Sequence, residues 1–159
     1  MQTKWGSHRE SFRIVLCPSN VKETYDLSIT AFNLSEKYMV LVVILTDEIL
    51  AHMREDITFP EPNSFEIINR RYDALPQKEY HSYKVNHTGI PVLPPLGSGN
   101  HYNVSGIFHI DNSIPNLAPE IIDNYIRKIN NKLNKYYNDI VMVENIKQEG
   151  SKIAVLAYC

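Results

Sequence analysis

The chain has 159 residues, 43% hydrophobic and 21% charged, with 16 Lys and Arg against 18 Asp and Glu, a formal net charge of -2 and a pI near 6.3. That length suits one ordinary soluble domain able to bury about two-thirds of its unfolded surface. The mildly acidic balance, with no clustered Lys and Arg, excludes an electrostatic footprint for nucleic acid or anionic lipid. Met1 to Glu10 carries no apolar signal core, and the longest strongly apolar run, Met39 to Leu45, is far too short to span a bilayer, so a cytoplasmic protein is expected. Cys17 and Cys159 are isolated, which rules out a CxxC pair and gives no disulfide framework.

In chain order, Phe12 to Cys17 reads as a short strand stopped by Pro18. Ser19 or Asn20 caps the following helix, and Asn20 with Glu23 has capping-box spacing, leaving the frame of the cap open by one residue. Val21, Tyr25, Ile29 and Phe32 recur at helical spacing, flanked by Leu27, Ala31 and Leu34, through Tyr38. Val40 to Leu45 is continuously apolar, the pattern of a parallel strand covered on both faces. Strand, helix and strand in this order predict a βαβ unit. Thr46, Asp47 and Glu48 then fall at the carboxyl end of the second strand, where open α/β sheets place their ligand crevices. Asp47 is suited to cap a short helix from Glu48 to about Glu55, on which Glu48 and His52 lie one turn apart, a pair without the third ligand that a metal site needs. Asp56 to His87 is polar, holds Pro60, Pro62 and Pro76, and reads as an extended connection.

Thr88 to Asp111 holds three of the nine prolines, four of the six glycines and two of the six histidines, with no helical period. Such a segment is a loop of specified path. Gly97-Ser98-Gly99 within it does not open a helix and makes a weak phosphate cradle. Val104 to Ile110 is expected as a short strand. Pro119 suits the first position of a helix, and Ile122, Ile126, Ile129, Leu133, Tyr136 and Ile140 follow at alternating four and three spacing, with Lys128 and Lys132 expected to point away from this stripe. Ile153 to Tyr158 has a buried-strand pattern.

The runs WGSH, SNVKETYDLSITAFNLSEKY, ILTDEILAHMRE, PPLGSGNHYNVSGIFHID and KIAVLAY, in this order, resemble the middle of the alpha subunit of 2-oxoacid:ferredoxin oxidoreductases, in particular the 2-oxoglutarate synthase (KorA-like) branch. The resemblance covers nearly the whole chain and implies an α/β fold. Residues 1–56 would close a thiamine-diphosphate-type pyrimidine-binding domain with an incomplete parallel sheet. Residues 57–117 would form a connection with the Pro/Gly-rich loop, and 118–159 would start a transketolase C-terminal-like domain. It also implies an assembled enzyme that decarboxylates a 2-oxoacid oxidatively, forms an acyl-CoA and reduces ferredoxin. Thiamine diphosphate with Mg²⁺ and the iron–sulfur clusters would sit mostly on partner subunits, a beta subunit and, in some members, gamma and delta subunits.

Several positions depart from the family pattern. GTHGD is replaced by Gly6-Ser7-His8-Arg9-Glu10, the Pro of RVPV by Leu41, HDERG by His109-Ile110-Asp111-Asn112-Ser113, and AYG by Ala157-Tyr158-Cys159. The family's YPITP motif, its pyrimidine-activating glutamate and its RGGPSTG loop lie upstream of the sequence, and Met1 matches an internal methionine, so an internal fragment, split-gene product or decayed copy is expected, inactive by itself and binding no cofactor alone. No catalytic residue is assigned within the chain. His8 and Ser7 are the substrate-pocket candidates, because their loop lies near the carboxyl edge of the sheet. Asp47, Glu48, His101 and His109 are candidates for the sheet edge or a subunit contact. A non-catalytic interaction module and a relative specific for pyruvate or a branched-chain oxoacid remain as alternatives.

Overall fold

The computed structural model describes residues 2–6, 12–70, 72, 76, 78–84, 86–146 and 149–157. A one-turn helix, α1 (Gln2–Trp5), precedes the strand β1 (Ile14–Leu16). β-Branched side chains favour extended backbone, and they recur in β2 (Val42–Ile44), which pairs with β1 in parallel in the register Ile14 to Val42, Val15 to Val43 and Leu16 to Ile44. Between them runs α2 (Val21–Tyr38), so the expected strand, helix, strand unit is present as a small two-stranded sheet. The cap frame is settled by Asn20, whose side-chain oxygen accepts from the Glu23 N–H at 2.7 Å, while the Glu23 carboxylate reaches one residue further back to the Ser19 N–H at 2.7 Å. At its other end α2 stops at Met39, which takes a left-handed φ of 48°, a conformation that costs a side-chain-bearing residue free energy.

Ile14, Leu16, Ala31, Leu34 and Tyr38 form the buried core, with Leu27, Val42, Ile44, Leu133, Tyr136 and Ile140 packed on it. Phe32, expected on the apolar face of α2, is instead 76% exposed. The expectation that Val40 to Leu45 is covered on both faces also fails: Val42, Val43 and Ile44 are half-buried, and Leu41 and Leu45 are exposed. The β1 side chains alternate buried, exposed, buried, which is one-sided covering. α2 lies on the side of Ile14 and Leu16, and no element among the described residues covers the other.

α3 (Glu48–His52) is capped by Asp47, whose carboxylate accepts from the Leu50 N–H at 2.7 Å, and it ends three residues before the expected Glu55. The connection that follows is seated on the outer face of α2. Phe59 and Phe65 pack edge-on against Tyr25, Asn33 bonds the backbone of Glu66 and Ile68, and Arg70 forms a two-nitrogen pair with Glu36 at 2.8 and 2.9 Å. Val104 to Ile110 is not a strand. It is irregular, with one isolated antiparallel bridge from His109 to Pro115. The loop path is instead fixed by positive φ at Gly89, Gly97 and Gly99 and by phenol-to-carbonyl bonds, Tyr80 to Val92, Tyr83 to Asn103 and Tyr102 to Pro94.

α4 (Pro119–Lys135) starts on proline as expected, breaks at Tyr136, and α5 (Tyr137–Ile140) completes the predicted span. Tyr136 packs against Tyr38 with ring centroids 4.8 Å apart and planes tilted by 37°, and Asp139 takes both the Tyr38 hydroxyl and, at 2.7 Å, the Lys37 ammonium. The expected final buried strand is absent among the described residues: Ile153, Val155 and Leu156 are each more than four-fifths exposed, because no described segment pairs with them. Among the described residues no helix is long and apolar enough to cross a membrane. The accessible surface is 12547 Å², against about 8,200 Å² for a compact monomer of this mass.

Candidate functional site

Two places gather polar side chains. The first is the carboxyl edge of the sheet. β1 runs into Cys17-Pro18-Ser19-Asn20 and β2 into Leu45-Thr46-Asp47, and both loops open helices. Glu55 folds back so that its carboxylate accepts from the Val21 N–H at 2.9 Å. Hydrogen bonds from the Ser19 hydroxyl and N–H hold the Glu23 carboxyl below its ordinary pKa. Asp47 is committed to capping α3, and Glu48 is an exposed first-turn residue. His8 and Ser7 lie outside the described residues.

The second place lies under the long loop. His109 is 5% exposed and stacks flat on Tyr83, centroids 5.0 Å apart and planes 4° apart, while its Nε2 lies 3.0 Å from the Ser105 hydroxyl. The Tyr83 N–H donates to the Asp111 carbonyl at 3.1 Å, and Lys128 donates its ammonium to the Tyr83 carbonyl. A cavity of about 440 Å³ opens beside this cluster, lined by His81, His109, Asp111, Asn124, Tyr125 and Lys128. His101, the other loop histidine, is exposed. Of the candidate residues from the sequence that lie among the described residues, His109 enters a side-chain cluster of this kind.

Lys128 and Lys132 lie off the apolar stripe of α4, as expected, but not in open solvent. Lys132 is 6% exposed and donates to the Met39 carbonyl at 2.9 Å, and Lys135 donates to the His87 carbonyl at 2.7 Å. Tyr125, Lys128, Lys132 and Tyr136 form a second stripe beside the apolar one, and that spacing was the available signal. Burial, reinforced by the like charge of Lys128, pushes the Lys132 ammonium down to about 8. Burial also lowers Lys128 and raises the Tyr125 phenol. Among the described residues no group of three or more His, Cys, Asp or Glu is placed to hold a metal ion.

A parallel strand pair with helix-opening loops at its carboxyl edge belongs to the α/β cofactor-binding class, and residues 2–128 match the family described as pyruvate flavodoxin/ferredoxin oxidoreductase, thiamine diP-binding. The chain belongs to that family. The 2-oxoglutarate synthase subunit KorA of Methanothermobacter thermautotrophicus is 34% identical over 99% of this chain and 42% of its own, and that of Methanocaldococcus jannaschii 37% identical over 91% and 38%. The structure of 2-oxoglutarate:ferredoxin oxidoreductase from Magnetococcus marinus, with 2-oxoglutarate, coenzyme A and succinyl-CoA bound, superposes with a TM-score of 0.77 at 30% identity, over 93% of this chain and 26% of that one. The chain thus spans about two-fifths of the length of the curated relatives it matches.

The thiamine diphosphate in the family's description needs donors or a cation for its diphosphate. At the carboxyl edge the first N–H groups of α2 are already taken by Asn20 and Glu55, and Glu23 and Asp47 add further negative charge. These carboxyl-edge residues do not fit the diphosphate.

Proposed function

We propose that this chain is part of the alpha subunit of a 2-oxoacid:ferredoxin oxidoreductase whose substrate is 2-oxoglutarate. The observation that carries this reading is the structural likeness over 93% of the chain to an enzyme holding 2-oxoglutarate, coenzyme A and succinyl-CoA. On this reading the assembled enzyme, in the cytoplasm, releases the carboxylate of the 2-oxoacid as CO₂ and transfers the acyl group to coenzyme A. Two electrons pass through iron–sulfur clusters to ferredoxin. Thiamine diphosphate with Mg²⁺, held mainly by partner subunits, supplies the electron sink for decarboxylation.

The share of this chain is positional. β1 and β2 carry two loops to the sheet edge, and Asn20, Glu23, Asp47 and Glu55 fix those loops by bonding the helix starts. His8 and Ser7 are proposed to reach the substrate, and Asp47, Glu48, His101 and His109 to shape the edge or a contact with the beta subunit. Residues 57–117 serve as the connection between a pyrimidine-binding domain and a transketolase C-terminal-like domain beginning near 118, where Pro119 opens α4. The excess of exposed surface supports a chain built to be covered by partners.

One observation favours a second substrate. The ketoisovalerate oxidoreductase subunit VorB of M. thermautotrophicus is 47% identical, but over only 36% of this chain. Viologen reduction by the complex isolated with this chain decides between them. Turnover with 2-oxoglutarate and CoA exceeding that with 2-oxoisovalerate is expected; the reverse order assigns the branched-chain substrate, and turnover with neither overturns the enzymatic reading.

A further inference from the structure

We propose that the cavity at the amino edge of the sheet, between α4 and the residues that lead into β1 and β2, binds a short-chain carboxylate through Lys132 and Lys128. The cavity measures about 220 Å³ and is walled by Phe12, Val40, Leu41, Leu93 and Ile129, with Lys128, Lys132, Tyr83 and Tyr125 as polar residues in its lining. Phe12 precedes β1, and Val40 and Leu41 precede β2, which places it at the opposite end of the strands from the Asp47 loop. Its volume equals roughly seven waters at about 30 Å³ each, room for a carboxylate on a chain of a few carbons.

Each ammonium carries three N–H donors. Lys132 uses one on the Met39 carbonyl and Lys128 one on the Tyr83 carbonyl, so donors remain on both. Among the described residues no carboxylate lies within ion-pair distance of either amine. Asp111 acts on Lys128 only through its longer-range field, and the charge that Lys132 feels is that of Lys128, of the same sign. A buried and a half-buried cation one turn apart repel each other, and an anion between them offsets that repulsion and the cost of their burial. Two ammonium groups match the two oxygens of a carboxylate, and the apolar walls take its hydrocarbon part. A phosphate, with four oxygens and no apolar part, suits these walls poorly.

The test is calorimetric titration of the full chain at neutral pH and low salt with sodium butyrate, and separately with inorganic phosphate. Butyrate is expected to bind saturably at one site, at least about tenfold weaker after Lys132→Met or Lys128→Met, with phosphate weaker than butyrate. Should either variant fail to fold, the wild-type chain labelled at the lysine ε-carbons answers by NMR, where saturating butyrate should move the lowest lysine titration midpoint upward by about one unit or more. No saturable butyrate binding, binding unchanged in both folded variants, a lysine midpoint indifferent to butyrate, or phosphate binding tighter than butyrate at these lysines would each overturn the proposal.

Discussion

Lys132 shows how one side chain links helix, turn and stability. Its stem crosses the packed side of α4 and its ammonium bonds the carbonyl of Met39, the left-handed residue at which the chain leaves α2 for β2. A periodicity that counts only apolar residues leaves lysine out, which is why this position was placed only as lying off the apolar stripe. Because the folded-state pKa of Lys132, about 8, lies below its ordinary value of 10.5, the unfolded chain holds more protons between those values, and stability must rise as pH increases through that window. The full swing is on the order of 3 kcal/mol. Tyr80, pushed up to about 12 by burial, acts in the opposite sense: its stabilisation is lost as pH rises beyond about 10. Urea midpoints are therefore expected to climb from pH 7.5 to 10 and fall beyond it, and Lys132→Met should flatten the climb. A wild-type midpoint that stays level or falls between pH 7.5 and 10 would contradict the placement of this amine. His8 and Ser7 mark the other limit at this scale, since their assignment rested on the expected place of their loop near the carboxyl edge and they lie outside the described residues.

Among the elements, the strand-helix-strand unit, the helix starts at Asp47 and Pro119 and, to within one residue, that at Asn20 were readable, because caps, proline placement and apolar period are local signals. Depth of burial was not. Val40 to Leu45 and Ile153 to Ala157 carry the composition of buried strands, but burial depends on what lies alongside, and no local pattern records that. The same reasoning refines the expectation for α4. Leu133 packs on the Ile14, Leu16 and Tyr38 core, so Leu133→Asp strands a carboxylate there and should cost about 3 kcal/mol. Ile129→Asp should cost measurably less, since Lys132 stands three residues on, on the same side of the helix, and offers its ammonium. Equal losses in chemical denaturation, or a larger loss for Ile129, would show that the two stripes of α4 are misassigned.

At the scale of the whole chain, about half again the expected surface is exposed, the sheet has two strands, and the chain matches about two-fifths of its curated relatives. Family membership was legible from ordered motifs spread along the sequence. The substrate-bearing constellation was not, because the acidic groups that meet at the carboxyl edge serve the chain's own helix starts. On the proposed function this chain is one component of a thiamine-diphosphate enzyme, completed by its partners. The deciding measurement is calorimetric titration of the purified chain with thiamine diphosphate and Mg²⁺, repeated after addition of a beta subunit and the remaining alpha-subunit sequence of a KorA relative. No saturable heat from the chain alone and saturable binding in the mixture are the predicted results; saturable binding by the isolated chain would contradict the account.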